Sequence, residues 1–222
     1  MFFRFEPVAL PLARLANYAT LLAQRMGRAE ARTFIETNDM RVDPRRFAGL
    51  WAALVHVIRN AVDHGIELPV ERLEQGKEAR GCIWLRASNT ASEFTLEIED
   101  DGRGIDWARV RQIAQSRSLP HESENDLVLA LLSDGFSTKS SVSAISGRGV
   151  GMAAVHAEVV ELGGRISVSS KEGAGSCWRM VFPIASSHRG LHVIPGHHSV
   201  VEEVEGPRPA LLATAMGSNG RR

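Results

Sequence analysis

The chain has 222 residues, with 26 basic and 26 acidic side chains and 44% hydrophobic residues. A balanced charge gives no support for binding to nucleic acid or to a membrane surface. No apolar run approaches the roughly 20 residues of a membrane-spanning helix. We therefore expect an ordinary globular protein of the cytoplasm, with no nucleic acid as a partner and no membrane insertion.

The first third of the chain predicts two helices and a strand. Residues 8–26 carry apolar side chains at helical spacing. Residues 32–36 are a short strand candidate. A longer helix is predicted from Asp43, which can cap its start, to Gly65, which can end it.

The rest of the chain interleaves strands and helices. Residues 82–88 and 93–99 alternate apolar and polar side chains, which predicts paired strands. The other predicted elements are helices that begin at Trp107 and at about Ser123, a glycine-rich loop over 131–151, a helix over 150–162, and strands over 165–170 and 176–184.

This order of elements predicts the fold class and the domain boundary. We expect an α/β protein, a two-layer sandwich in which helices cover one face of a mixed sheet. The predicted domain spans residues 1–186. Residues 187–222 mix proline, glycine and histidine with little periodicity, which predicts a mostly flexible C-terminal tail.

A first polar cluster lies on the long central helix. His56, Asn60, Asp63 and His64 are spaced to lie on one side of that helix. An amide oxygen such as that of Asn60 is a hard ligand that suits Mg²⁺, which usually keeps waters and shares phosphate ligands. A solvated polar helix face is the alternative interpretation.

A second cluster follows a predicted strand. Asp100 ends the strand, and Gly102 and Gly104 follow in the sequence "DDGRGID". A partly buried carboxylate in this position can accept a hydrogen bond from an exocyclic amine such as that of adenine. The glycines would let the backbone approach a flat ring. A plain turn is the alternative, because Asp-Gly is a common turn pair.

A third cluster, Gly147 to Met152, leads directly into a helix. Glycines before a helix N-terminus expose free N–H groups beside the positive end of the helix dipole, which favours phosphate. The spacing fits neither the dinucleotide-binding fingerprint nor the P-loop. A simple glycine-rich helix start is the alternative.

The order of these motifs resembles the GHKL ATP-binding superfamily, which has the Bergerat ATPase fold. Within that superfamily the chain is most similar to the ATP-binding domain of CheA-type chemotaxis histidine kinases, over roughly residues 4 to 186. The stretches that carry this resemblance are "HVIRNAVDHGIE", "ERLEQGK", "EDDGRGID", "GFSTK" and "SGRGVGM".

The resemblance implies ATP and Mg²⁺ as ligands. It implies that Asp100 binds the adenine amino group with help from Ser176, that Asn60 and His56 hold Mg²⁺, and that residues 135–139 belong to a lid over the nucleotide. The implied catalytic residues are His56, Asn60 and Lys139. The implied nucleotide-binding residues are Asn60, Asp63, His64, Asp100, Gly102, Gly104, Ile105, Arg109, Gly147, Arg148, Gly149, Val150, Gly151, Met152 and Ser176.

The resemblance also implies a protein-histidine kinase of two-component signalling. No histidine precedes His56, and Ala153 and His156 depart from the family's pattern. We therefore expect transfer in trans to a histidine on a phosphotransfer domain or protein, with a response regulator downstream. The chain would be an excised domain or a separate subunit. The alternatives are a nucleotide-responsive binding module without transfer activity and an anti-sigma-type serine kinase of the same superfamily.

Overall fold

The computed structural model of the chain describes residues 5–28, 31–136, 151–184, 193–194 and 199–204. The helices are α1 (Ala9–Arg25), α2 (Pro44–Asn60), α3 (Pro69–Glu74), α4 (Trp107–Ser116), α5 (Glu124–Leu131) and α6 (Gly151–Glu161). The strands are β1 (Glu6–Pro7), β2 (Arg32–Asn38), β3 (Arg41–Val42), β4 (Cys82–Asn89), β5 (Glu93–Asp100), β6 (Arg165–Lys171), β7 (Gly175–Pro183), β8 (Val193–Ile194) and β9 (Ser199–Val204).

The main sheet has six strands in the order β6-β7-β5-β4-β2-β9. Only β2 and β4 run parallel to each other, and the other neighbours pair antiparallel, so the sheet is mixed. Strands β2, β4 and β5 alternate buried and partly exposed residues along their length, as strands covered on one face do. The predicted α/β fold with helices packed on a mixed sheet is confirmed.

Three phenylalanines join the central helix to the sheet. Phe47 of α2 makes edge-to-face contacts with Phe94 of β5 and Phe182 of β7, with ring centroids 5.6 and 5.9 Å apart. Phe94 and Phe182 stack on each other at 5.8 Å. All three side chains are fully buried, so this cluster fixes the position of α2 over the strands that end at the predicted site.

Helix α2 begins as predicted, and its last turn changes type. The Asp43 carboxylate accepts a hydrogen bond from the Arg45 N–H at 2.9 Å, and Pro44 occupies the first turn. From Ala61 to Gly65 the backbone forms a π-helical turn, after which the chain becomes extended at Ile66. π-helical turns are rare in proteins overall, and those that occur often lie at functional sites. The regular spacing assumed for Asp63 and His64 therefore does not hold beyond Asn60.

Part of the predicted tail belongs to the main sheet. Strand β9 pairs antiparallel with β2 from Ser199 opposite Asn38 to Val204 opposite Thr33. Arg32 of β2 also donates to Glu203 at 2.7 Å. A short apolar stretch far along the chain gives no local sign of its pairing partner, so composition alone placed these residues in a flexible segment. The domain boundary at residue 186 stays a prediction.

Within the described part of the chain, no helix is long and apolar enough to cross a membrane.

Candidate nucleotide-binding site

Asp100, the last residue of β5, is buried with a residue exposure of 3%. Its Oδ1 accepts a hydrogen bond from the Gly102 N–H at 3.0 Å. Its Oδ2 accepts one from the Ser176 hydroxyl at 2.6 Å. Burial raises the pKa of Asp100 from 3.8 to about 6, although both hydrogen bonds act to lower it. The structure thus brings Asp100 and Ser176 together, as the resemblance implied.

The end of α2 packs directly on the turn that follows Asp100. A Cβ atom added to Gly65 would lie 2.8 Å from the Asp100 Oδ1 atom. One added to Gly102 would collide with the backbone carbonyl of Gly65. The Arg103 N–H also donates to the Gly65 carbonyl at 2.9 Å. Glycine is therefore required at Gly102 by the Gly65 backbone and at Gly65 by the fixed Asp100 carboxylate.

The next part of the turn is held by the hairpin between β6 and β7. Gly104 has a φ of +77°, and an added Cβ atom would lie 2.5 Å from the Lys171 carbonyl oxygen. The Ile105 N–H donates to the Ser170 hydroxyl at 2.8 Å, and that hydroxyl donates to the Gly175 carbonyl at 2.9 Å. Gly104 and Ile105 thus lie in a fixed segment next to Asp100.

His56 and Asn60 of α2 form the second part of the site. Both residues are half-buried. Burial lowers the pKa of His56, and the charge of Arg59 lowers it further. A Cβ atom added to Gly151 would lie 3.4 Å from the His56 Nδ1 atom, so the first residue of α6 lies against the His56 ring. Met152 packs against the edge of the core one residue further on.

Asp63 and His64 lie in the π-helical turn rather than on the regular face of α2. The His64 Nε2 and Asp63 Oδ2 atoms are 3.6 Å apart, and the His64 side chain is the more exposed of the two. The Asp63 carbonyl accepts a hydrogen bond from Arg28 at 3.4 Å. Among the described residues, no group of three or more histidine, cysteine or acidic side chains could hold a metal ion.

Two arginines on the helices around the site, the predicted Arg109 and also Arg59, have contacts of their own. Arg109 is exposed on α4, where its Nη1 atom donates to Gln112 at 3.4 Å and its backbone N–H donates to Asp106 at 2.8 Å. Arg59, which precedes Asn60, donates to the Tyr18 hydroxyl of α1 at 3.2 Å. The structure does not bring the Arg109 side chain into contact with Asp100 or Asn60.

Several predicted residues lie outside the described part of the chain, namely Lys139, Gly147, Arg148, Gly149 and Val150. Their assigned roles stay predictions. The described chain before this segment is held by Arg117, whose guanidinium donates to the Gly135 carbonyl at 2.8 Å and lies 5.4 Å from the centroid of the Phe136 ring.

A buried cluster of charges behind Asp100 was not predicted. Glu67 and Arg72 are each only 1% exposed, and Arg72 donates to Glu67 at 3.0 Å and to the Asp101 carboxylate at 2.8 Å. Lys77 donates to Glu67 at 2.8 Å. In the sequence Arg72 and Lys77 look like the solvated charges of "ERLEQGK". The resemblance marked that stretch without giving it a role.

Comparisons with known proteins place this geometry in a family. Residues 49–186 match the family described as histidine kinase-, DNA gyrase B-, and HSP90-like ATPase. This match covers more than half of the chain, which therefore belongs to that family.

Among curated proteins, the chain is similar to the chemotaxis protein CheA of Rhizobium meliloti strain 1021, with 37% identity over 191 residues, or 83% of this chain and 25% of that protein. It is also similar to the gliding motility regulatory protein of Myxococcus xanthus, with 38% identity over 187 residues, or 80% of this chain and 24% of that protein. The chain spans about a quarter of the length of these two relatives. The resemblance to CheA-type kinases that the motifs predicted is thus confirmed.

Solved structures agree at the level of the fold. The mycobacterial sensor histidine kinase MprB has a TM-score of 0.50 at 18% identity, covering 81% of this chain and 97% of that chain. Full-length ShkA, crystallised with AMPPNP, also has a TM-score of 0.50 at 18% identity, covering 84% of this chain and 32% of that chain.

Proposed function

We propose that this chain is the ATP-binding catalytic domain of a CheA-like protein-histidine kinase, which binds Mg·ATP and transfers the γ-phosphoryl group in trans to a histidine on a phosphotransfer domain. A response regulator would receive the group downstream. The family match and the similarity to CheA proteins support this proposal. The observation that carries it is the buried Asp100 carboxylate, held in a fixed orientation at the end of β5.

Asp100 would recognise the base. A carboxylate fixed by Gly102 and Ser176 still has acceptor capacity for the exocyclic amine of adenine. With a pKa of about 6, Asp100 is mainly ionised at pH 7 and can act as an acceptor only. A purine with a carbonyl in place of the amine would place its carbonyl oxygen against the Asp100 carboxylate. Both groups only accept hydrogen bonds, so binding of that purine is disfavoured.

His56 and Asn60 would hold the metal ion. The Asn60 side chain is half-buried, and no described residue makes a hydrogen bond to it, which leaves its amide oxygen available as a hard ligand. Because burial lowers its pKa, His56 is neutral near pH 7 and keeps a lone pair on one ring nitrogen. The Asn60 oxygen fits Mg²⁺, and a neutral His56 beside it adds no charge that would repel the ion. Mg²⁺ bound there would neutralise charge on the phosphate oxygens.

The start of α6 would hold the phosphates. Gly151 begins this helix against the His56 ring, so its first N–H groups lie on the same side of the site as the proposed metal ligands. We keep as proposals the roles of Lys139, Arg148 and the glycines before Gly151. Phosphoryl transfer asks the protein mainly for positioning and charge neutralisation, so the attacking imidazole can come from a partner.

Calorimetric titration with Mg·ATP tests the base assignment. Asp100→Asn replaces an acceptor-only group by a mixed donor and acceptor, which should weaken binding by about 10-fold or more. Asp39→Asn is the matched control, because Asp39 is exposed and lies in the turn between β2 and β3. This variant should bind Mg·ATP as tightly as the unchanged chain does. Unchanged affinity in folded Asp100→Asn would overturn the assignment.

Incubation with γ-labelled ATP and a separate phosphotransfer domain tests the activity. We expect acid-labile label on a histidine of that domain. Acid-stable label on serine would instead favour the serine kinase. ATP binding without any transfer would favour a nucleotide-responsive module.

A further inference from the structure

The buried charges behind Asp100 converge on a single peptide unit. Lys77 Nζ donates to the Asp101 carbonyl at 3.0 Å, and Arg72 Nη1 donates to the same oxygen at 3.2 Å. The N–H of this peptide belongs to Gly102 and donates to the Asp100 Oδ1 atom at 3.0 Å. Since a trans peptide is planar, the cations on its carbonyl side set the direction of its N–H.

Further contacts fix both sides of the same turn. Lys77 also donates to the Gly102 carbonyl at 2.8 Å. The Asp101 carboxylate accepts hydrogen bonds from Arg72 at 2.8 Å and from the Cys82 N–H at 2.8 Å. Glu67 lies under both cations and accepts from each of them. The turn is therefore tied to β4 and to the segment around α3 through side chains that have little access to water.

Stability alone is a weak explanation for this arrangement. Taking ions out of water is costly, and a buried ion pair is often no more stabilising than well-packed apolar side chains. The cluster does, however, place cations on a carbonyl whose N–H bonds to Asp100. Hydrogen bonds in such chains polarise one another, which strengthens the bond from Gly102 to the carboxylate.

We propose that Lys77 and Arg72 are positioning residues for base recognition, which orient the Asp101–Gly102 peptide and through it the Asp100 carboxylate. They set how strongly the site prefers a purine with an exocyclic amine over one with a carbonyl at that position. This inference rests on the proposed function, in which Asp100 accepts a hydrogen bond from adenine.

The test compares the affinities of two nucleotides, ATP and inosine triphosphate, for the unchanged chain and for Lys77→Met. The unchanged chain should prefer ATP. Lys77→Met should lose about three- to tenfold of that preference, the range expected for one weakened hydrogen bond. A general loss of stability would weaken the binding of both nucleotides equally and would leave the ratio of their affinities unchanged. Arg165→Met, which removes an exposed ion pair with Glu93, is the control and should keep both affinities.

Two further measurements separate the possible results. Lys77→Met leaves the buried Glu67 carboxylate with Arg72 as its only cation, which can destabilise the fold. If this variant does not fold, the double variant Lys77→Met/Glu67→Gln, which removes both the lysine charge and the carboxylate charge, replaces it in the test. In either variant the Gly102 amide should exchange with solvent faster than in the unchanged chain.

The outcomes distinguish the two proposals. If the unchanged chain prefers ATP and the folded variant prefers it equally, positioning by Lys77 is wrong while the proposed function stands. If the unchanged chain shows no preference, the adenine assignment fails and the positioning role fails with it.

Discussion

The two ends of the candidate site are built differently. At the base end, Asp100 is buried and held by Gly102 and Ser176, with a second layer of buried charges behind it. At the metal end, His56 and Asn60 are half-buried, and no hydrogen bond to either side chain comes from the described residues. The contrast is between one carboxylate with a fixed direction and two side chains that are left available to a ligand.

This difference matches what each end would bind. A purine ring is rigid and presents one donor in a fixed direction, so a preset acceptor costs nothing at the moment of binding. Mg²⁺ keeps waters and phosphate oxygens in its shell, so protein ligands for it must remain accessible. Substitutions at the base end should therefore change the stability of the fold as well as binding, and substitutions at the metal end should change binding alone.

The largest effect is expected from Gly102→Ala. The added methyl group would collide with the Gly65 backbone, which cannot move without displacing the end of α2. We expect a loss of about 3 kcal/mol in the free energy of unfolding, at the upper end for overpacking, together with loss of ATP binding. Urea unfolding and calorimetry measure the two quantities.

Gly76→Ala is the control for this change. Gly76 has a φ of +73° with nothing within 4 Å of an added Cβ atom, so only backbone strain of about 1–2 kcal/mol is expected. ATP binding should be kept. If Gly102→Ala were as stable as this control and bound ATP normally, the close packing of α2 on the turn would be wrong.

A smaller effect of opposite sign is expected for the ligand-free stability of Asp100→Asn. The raised pKa of Asp100 means that its contribution to stability is fully present below about pH 3.8 and is lost as the pH rises through about 6. Asparagine has no charge to bury, and the Ser176 hydroxyl can turn to accept from its amide. We expect the free energy of unfolding of the variant to be about 2 kcal/mol higher at pH 8. A pKa raised by about two units corresponds to a cost of about 3 kcal/mol for the buried charge, and desolvation of the asparagine amide offsets part of that gain.

Unfolding of both proteins between pH 4 and pH 8 checks this prediction. The gain should be small near pH 4, grow as the pH rises from about 4 to about 6, and level off above about pH 6. ATP binding by the unchanged chain should show the opposite trend and weaken as the pH falls through about 6, because the carboxylate is then protonated. A stability difference that does not vary with pH would contradict the raised pKa of Asp100.

Asn60→Ala should affect binding without affecting the fold. Since no described residue makes a hydrogen bond to the Asn60 side chain, its removal should change the free energy of unfolding by less than about 0.5 kcal/mol. The ratio of the ATP affinity with Mg²⁺ to the ATP affinity without it measures how much the metal strengthens binding. We expect Asn60→Ala to lower this ratio about 10-fold, because one metal ligand is lost. Titrations with Mg²⁺ and with EDTA give this ratio. An equal loss under both conditions would place Asn60 elsewhere in the site.

The residues proposed to contact the ligand were easier to single out in the sequence than the residues that support them. Asp100 and His56 belong to short patterns whose chemistry is visible locally. Ser176 was assigned through the family resemblance, and the structure brings it into direct contact with Asp100. Arg72 and Lys77 could not be recognised in the same way. Their charges look solvated along the chain. When α3 packs behind the turn after β5, Arg72 becomes buried and Lys77 stays partly exposed.

Nonlocal pairing and backbone irregularity were missed for a related reason. The pairing of β9 with β2 depends on an open sheet edge more than 150 residues earlier, which no local pattern records. The π-helical turn at Ala61–Gly65 follows a sequence with ordinary helical spacing. In contrast, the cap at Asp43 and the helix start at about Ser123 were predicted, because a helix cap is a purely local arrangement. Both residues make capping hydrogen bonds in the structure.

The smallest signal is expected in hydrolysis of ATP by this chain alone. Fast hydrolysis needs a group that orients or deprotonates water, a contribution of about 10²–10⁴-fold. Glu67 cannot supply it, because both of its carboxylate oxygens accept hydrogen bonds, one from Arg72 and one from Lys77. Asp63 lies beside His64 in the π-helical turn, and His56 is assigned to the metal ion.

Phosphate release with Mg·ATP should therefore stay far below the enzyme median of about 10 s⁻¹. Asn60→Ala serves as the background control, because a rate that survives this change comes from a contaminating ATPase. A rate near the median that Asn60→Ala abolishes would show that the metal end activates water as well as phosphate. In that case we would look for the general base that activates water among the residues that precede α6.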